Sequence, residues 1–449
     1  MSMLNKILIY SVCYIFITLG VTANAYAAII NAASAAYSDV ASAVSSARSG
    51  DTVLVPAGSA TWSSPLVITK GLILQGAGMG QTVITSAITD QNAGIIKYVP
   101  ASPILNEVFR ITGFTLDANN MSNGIYLQNR TETIVNKVRI DHNRILNPGG
   151  LNAGRGIDIS GTVYGVIDNN IIESGMVKAI DSYGVNETSW GHLSRNYGNS
   201  YNIYYEDNIF IANNTYHSAG HGGRYVSRYN IYSGAQRNMF PIFDMHGNQA
   251  AGYGTMVGEI YGNFIDLGAY GGNLLDQRGG QALVFFNKVS AAQYVGTKVR
   301  EEYADSTVPA VNSFIMRVIN SYYWNNRKND IIFNAYIDSD CCGVLAENSS
   351  FYNYNSSFNG SEGIGCGTIA ARPTTCTPGV GYWATEQSCS NVEDANVGKN
   401  PVTPISGTLY KCTAPNTWTA YYTPYPYPHP LRQGNITNLA PPQGFKVVK

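Results

Sequence analysis

The sequence predicts an all-β chain wound into a solenoid of parallel strands, a β-helix, and three observations carry that expectation. An apolar strand followed by Asn, one intervening residue and a further apolar residue recurs at Asn143/Ile145, Asn170/Ile172, Asn208/Phe210, Asn230/Tyr232, Asn263/Ile265, Asn287/Val289 and Asn320/Tyr322. Successive asparagines lie roughly 22 to 38 residues apart, the period range of stacked repeats. Beyond the first fifty residues no long helical periodicity occurs. The 449 residues are rich in Asn, with Gly at 46 positions and Tyr (32) far ahead of Phe (14) and Trp (5), a mixture suited to turn-rich β-structure.

A single rung of such a repeat cannot bury its apolar side, whereas stacked rungs share one core. Asparagines at the same bend of each rung are then placed to hydrogen-bond up and down the stack as a ladder. Loops of different length leaving the stack account for the uneven spacing.

The first element is a short helix over Ser38–Ala47, with Val40, Ala41, Val44 and Ala47 on one face, Ser38 as its cap and Gly50 ending it. An isolated helix of this length is marginal, so its apolar face is expected to cover the open end of the first rung. Strands follow at Thr52–Val55, Leu66–Thr69 and Leu72–Leu74, the first two separated by a Pro56-Ala57-Gly58 turn. The run from Gly50-Asp51-Thr52-Val53-Leu54-Val55-Pro56-Ala57-Gly58 through Trp62 to Gly71-Leu72-Ile73-Leu74-Gln75-Gly76-Ala77-Gly78 resembles the opening of bacterial right-handed parallel β-helix proteins of the pectate-lyase-like superfamily. The resemblance implies a right-handed coil with an N-terminal capping helix, and the Asn-rich rungs extend it to about residue 355.

Three segments are expected. Residues 1–27 read as a secretory leader: Lys6, an apolar run from Ile7 to Val21, and a small-residue cleavage site ending Ala25-Tyr26-Ala27. That run is shorter than the roughly 20 residues a membrane span needs, and no later segment qualifies. Residues 28–354 form the β-helix with its cap. Residues 355–449 form an irregular Cys/Pro/Tyr-rich extension whose ending, Trp418 to Leu431, alternates Tyr and Pro too densely for a sheet interior and is expected to lie along the solenoid or across its last rung. Without the leader six cysteines remain, Cys341, Cys342, Cys366, Cys376, Cys389 and Cys412. An even number in an exported chain favours disulfides, with 15 pairings open and Cys341 and Cys342 expected to bond elsewhere than to each other.

Only 13% of the residues are charged, against a usual ~25%, and the net charge is −1. With no basic tract to neutralise phosphates, nucleic acid is excluded as an expected partner. In so charge-poor a chain the segment from His217 to Arg278 stands out, holding His217, His221, His246, Arg224, Arg228, Asp244, Glu259, Asp276 and Arg278 about one rung apart in groups. Adjacent strands lie about 4.8 Å apart, so these groups are expected to stack into one neighbourhood.

The resemblance implies action on a polysaccharide lying in a groove beside one sheet. β-Elimination on a uronic-acid glycan requires the sugar carboxylate to be neutralised, the neighbouring proton removed and the leaving oxygen protonated. His217 or His246 is the expected base, since imidazole titrates near neutrality. Arg278 is the expected carboxylate partner and Arg224 the group that stabilises the developing enolate. Asp244, Glu259 and Asp276 are candidate oxygen ligands for Ca²⁺. His221, Arg228, Tyr204 and Tyr205 are candidates to hold substrate. Chondroitinase-B-like and alginate-lyase-like relatives imply a Lys and Arg pair with calcium, but no Lys occurs between Lys178 and Lys288, and their catalytic residues are not carried over. Glu206 and Asp207 read as a solvated turn. Two other readings stand beside the lyase: a non-catalytic surface or matrix protein that binds glycan or presents a rigid face, and a glycoside hydrolase using the three carboxylates.

Overall fold

A computed structural model describes residues 27–90, 93–149, 154–174, 178–186, 189, 193–212, 217–234, 241–247, 253–301, 316–340, 343–386, 389 and 395–433. The expected leader and the pair Cys341 and Cys342 lie outside the described residues, apart from Ala27.

From Thr52–Val55 to Arg327–Lys328 the strands run through three long sheets in rotation, and each returns to pair in parallel with its counterpart one coil earlier. Among the described residues sheet 1 has twelve strands, from Ile29–Asn31 to Phe351–Asn353. Sheet 2 has eleven, from Gly58–Trp62 to Ile331–Ile332, and sheet 3 has ten, from Leu66–Ile68 to Ala335–Asp340. Only the last pair of sheet 2, Arg327–Lys328 with Ile331–Ile332, is antiparallel. This is a parallel β-helix, wound right-handed as parallel crossover connections are.

The period of two along each strand sends alternate side chains inward, where register stacks like on like. In sheet 2 Ile145, Ile172, Phe210, Tyr232, Ile265 and Val289 form one buried column. Each such side chain contributes roughly 1.5–3 kcal/mol by leaving water. The helix spans Tyr37–Ser46 and buries Val40, Ala43 and Val44 over the first coil. Ala36, not Ser38, occupies its N-cap without a side-chain bond, and Ser34 instead receives the Ala36 N–H and donates to Asp39 at 2.6 Å.

Between sheets 1 and 2 the asparagines form the expected ladder. Asn143, Asn170, Asn208, Asn230, Asn263 and Asn287 each donate a side-chain N–H to the carbonyl of the next, at 2.8 to 3.2 Å, ending on Asn326. The last position corrects the sequence expectation. Asn320 stands before a sheet 1 strand, Ser321–Trp324, and not at the bend after one. Its side chain accepts from Lys411 instead.

After the last coil, Ile364–Gly367, Gly381–Ala384, Thr408–Ala414 and Thr417–Tyr422 form a four-stranded sheet, so the extension is partly regular. Disulfides Cys366–Cys389 and Cys376–Cys412 tie it together. Thr417–Tyr422 and the Tyr/Pro stretch then run back along the outside of sheet 1 toward earlier coils. Tyr422 meets Phe285, Tyr425 meets Tyr204, and Leu431 reaches Arg139. A second apolar core fills the space between sheet 1 and this return, including Trp324, Trp383, Phe285 and Tyr261. No helix among the described residues is long and apolar enough to cross a membrane.

Candidate active site

The return of the chain covers the outside of sheet 1, and the outer face of sheet 3 carries a polar line of side chains. Nine outward positions fall in register on successive strands: Lys97, Tyr126, Asp158, Asp181, Ser218, Asp244, Asp276, Lys298 and Tyr336. Two residues further along four of these strands, the same face presents Ser160, Tyr183, His246 and Arg278. The recurring sequence sign is a polar residue, an inward residue and a second polar residue: Asp158-Ile159-Ser160, Asp181-Ser182-Tyr183, Asp244-Met245-His246, Asp276-Gln277-Arg278 and Lys298-Val299-Arg300, interrupted at the Ser218-Ala219-Gly220 rung.

At the centre, Tyr183 lies edge-on to His221, with ring centroids 5.0 Å apart, and 6.1 Å from His246. Its hydroxyl meets Ser218 Oγ at 3.3 Å, and Lys178 Nζ sits 5.6 Å from its ring centroid. On one side Arg155 and Lys178 both pair with Asp181, Lys178 at 3.1 Å. On the other, Arg278 pairs with Asp244 at 2.7 Å and meets His246 Nδ1 at 2.7 Å, while His246 Nε2 lies 3.2 Å from Asp244. His221 holds a left-handed backbone (φ +54°) at the turn leaving its strand, anchored by its N–H donating to Tyr253 O at 2.6 Å.

These surroundings set distinct protonation states. Burial, helped by the approach of His246 and Arg130, lowers the His221 imidazole, so it is neutral and able to accept a proton at neutral pH. Burial and the Asp181 charge raise the Tyr183 phenol, so it keeps its proton. Burial pushes the Asp158 carboxyl up to about 6; Arg155 works against this and Asp181 adds to it. Burial also acts on Asp244, but the bond and charge of His246 and the Arg278 guanidinium outweigh it and hold that carboxyl at about 2.

The residues named from sequence are sorted into three places, which corrects the expectation of a single neighbourhood. His221, Asp244, His246, Asp276 and Arg278 share the outer face of sheet 3. His217 points inward, in register between Ile180 and Phe243, stacked on Tyr205 at 4.8 Å and bonded to Tyr232 Oη at 2.7 Å. It is enclosed in the core and has no route to a polymer, and burial lowers its imidazole to about 3. Tyr205 is likewise interior, its hydroxyl on Ser182. Arg224, Arg228, Tyr204 and Glu259 face outward from sheet 1, yet all are buried beneath the returning chain or the residues 194–201. Arg224 donates to the carbonyls of Ser194, Asn196 and Tyr201. Arg228 pairs with Glu206 at 2.7 Å and donates to the carbonyls of Tyr425 and Pro426. Glu259 accepts the Gly198 N–H at 2.8 Å, and burial raises its carboxyl. Glu206 and Asp207 are no solvated turn: both are wholly buried against Arg432.

Arg155, Asp158, Lys178, Asp181 and Tyr183 belong to the same face as His246 and were not singled out from sequence. They precede the charge-dense window, and only the register of the coil brings them beside it.

The expected calcium ligands do not fit a cation. Asp244 is taken by Arg278 and His246, Asp276 by Arg300 at 2.9 Å and Lys298 at 3.5 Å, and Glu259 lies on a different sheet. Among the described residues no group of three or more His, Cys, Asp or Glu is placed to hold a metal ion.

No protein-family model and no curated protein matches the chain. Solved structures similar to it include ORF18 of Geobacillus virus E2, at 15% identity and TM-score 0.41, covering 86% of this chain and 72% of that one. An alginate lyase from Paenibacillus matches at 13% identity and TM-score 0.40, covering 70% of this chain and 99% of that one. The A-module of a mannuronan C-5 epimerase from Azotobacter vinelandii matches at 15% identity and TM-score 0.40, covering 71% and 88%.

Proposed function

We propose that this chain is an exported enzyme acting on an acidic polysaccharide, and that it cleaves a uronic-acid glycan by β-elimination on the outer face of sheet 3. The observation that carries the reading is the meeting of a neutral imidazole, a protonated phenol and flanking cations at Tyr183, His221, His246, Arg278 and Lys178. Disulfides in the extension support the exported location.

In this reading Arg278 and Lys178 hold the sugar carboxylate, drawing charge from the carbon beside it. His221 accepts the C5 proton, the C5–H electron pair becomes the C4–C5 double bond, and the C4–O bond breaks. Tyr183 donates its proton to the departing glycosidic oxygen. Transfer of the proton from His221 to the tyrosinate, on the neighbouring ring, restores both groups. His246, held by Asp244 and Arg278, lines the far side of the same space.

The test is incubation of purified protein with a panel of uronic-acid polymers, following unsaturated-sugar absorbance, with His221→Ala and Tyr183→Phe as controls. Appearance of the chromophore with the wild type and at least a hundredfold loss in both variants is the expected result. A change of sugar configuration by NMR without chromophore would assign the same proton abstraction to an epimerase. No change on any polymer by a folded protein would leave the glycan-binding scaffold, a reading favoured by the mutual pairing of Asp244, His246 and Arg278.

A further inference from the structure

We infer that the acidic polymer extends from the reaction centre toward the amino-terminal coils, into a second anionic-sugar subsite built around Tyr126. This inference rests on the functional reading above and adds a direction to it.

The two ends of the polar line on sheet 3 differ in how their charges are balanced. At the carboxy-terminal end Lys298 lies 3.5 Å from Asp276 and 3.7 Å from Asp338, and Arg300 lies 2.9 Å from Asp276. Two cations there meet two carboxylates. At the amino-terminal end Lys97 and Arg130 have no carboxylate within ion-pair distance among the described residues. Lys97 instead places its ammonium 5.1 Å from the Tyr126 ring centroid. The exposed Arg130 donates to Ser160 Oγ at 3.3 Å, and its positive charge acts on the neighbouring Tyr126 phenol. The next cations along this face, Arg155 and Lys178, pair with Asp181.

The shape suits a charged sugar. Tyr126 offers a half-buried ring with the Lys97 ammonium over it and the Arg130 guanidinium held beside it on Ser160, the combination that stacks a pyranose and pairs its carboxylate. Tyr126, Asp158 and Asp181 are in register on consecutive strands, so this subsite is two strands, roughly 10 Å, from the Tyr183 coil. A polymer lying along the face therefore meets uncompensated positive charge on one side of the reaction centre and neutral ion pairs on the other.

The experiment measures binding separately from turnover. Mannuronate and galacturonate oligomers graded from dimer to octamer are titrated calorimetrically into Tyr183→Phe protein, with and without the further triple substitution Lys97→Ala, Tyr126→Ala and Arg130→Ala. Affinity is expected to rise with oligomer length, and the triple variant is expected to lose about tenfold or more on the longest oligomers. Tyr336→Ala at the opposite end is expected to keep the original length dependence. Equal binding with and without the triple substitution, or an equal loss in Tyr336→Ala, overturns the inference. Length-dependent binding lost in the triple variant, in a protein without turnover on any polymer, upholds the subsite while removing the lyase reading. Circular dichroism of each variant establishes that it is folded.

Discussion

Arg432 donates to Glu206 at 2.9 Å across 226 residues of sequence, and the same guanidinium reaches Asp207 at 2.5 Å and Asp168 at 3.3 Å. All three carboxylates are wholly buried. Removing their partner leaves three buried carboxylates against the cations Arg139, Arg228 and Lys399, with Asp207 losing its ion pair. Arg432→Ala is therefore expected to destabilise the protein by about 3–5 kcal/mol, and Arg432→Lys by less, since an ammonium supplies charge but not the planar fork. Chemical denaturation measures both; a cost below about 1 kcal/mol for the alanine variant would show the cluster to be satisfied without it.

His217 makes stability fall in acid. Its unfolded value is near 6.5 and its folded value about 3, because burial among aromatic rings disfavours the charged imidazole. The unfolded chain takes up the proton first as pH drops, so the contribution is complete above about 6.5 and is lost as pH falls toward 3, at up to about 1.4 kcal/mol per unit. In His217→Phe this part of the acid slope should vanish, as followed by melting temperature against pH.

Asp158 acts with the opposite sign. Its folded value, about 6, lies above the ordinary carboxyl value of 3.8, so its contribution is present below about 3.8 and is lost as pH rises through 6. Asp158→Asn should gain stability over the wild type as pH rises from 4 to 6, by about 1–2 kcal/mol, and hold that gain above 6. A difference that does not vary with pH would place the Asp158 carboxyl at an ordinary value.

The ladder separates asparagines that look alike in sequence. Asn230 receives both the backbone and side-chain N–H of Asn208 and donates to Tyr205 O and Asn263. Asn230→Ala strands buried donors and should cost about 2–4 kcal/mol. Asn320→Ala loses one bond to Lys411 and should cost less than about 1.5 kcal/mol. Urea midpoints with unchanged slope decide it.

The coil itself was legible because its signals are local. Helix limits fell within one residue, and six of seven ladder asparagines were found, since each needs only a strand, a bend and a strand. Asn320 failed because the motif does not say which sheet precedes it. The site was half legible. Asp244 and His246, or Asp276 and Arg278, are two residues apart and so share a face, while His217 lies at an inward position of the neighbouring strand. Window-based clustering of charge ignores that alternation, and it set aside Lys178, which is outside the dense segment yet touches its centre. The burial of Arg224, Arg228 and Glu259 depends on residues 194–201 and 421–432, a contact no local pattern announces.

The returning Tyr/Pro stretch has a consequence for how the molecule is made. Residues 425–432 bind coils completed some two hundred residues earlier in the chain, and until they arrive Glu206, Asp207 and Asp168 lack the Arg432 guanidinium, leaving Glu206 to Arg228 and Asp168 to Arg139. The coils can assemble in order along the chain, and the finished particle is reached when this later segment closes over them and seals the flank. Products cut short before Arg432 would retain the coils and expose an aromatic, acidic strip, giving a quality-control system a ready mark of incompleteness.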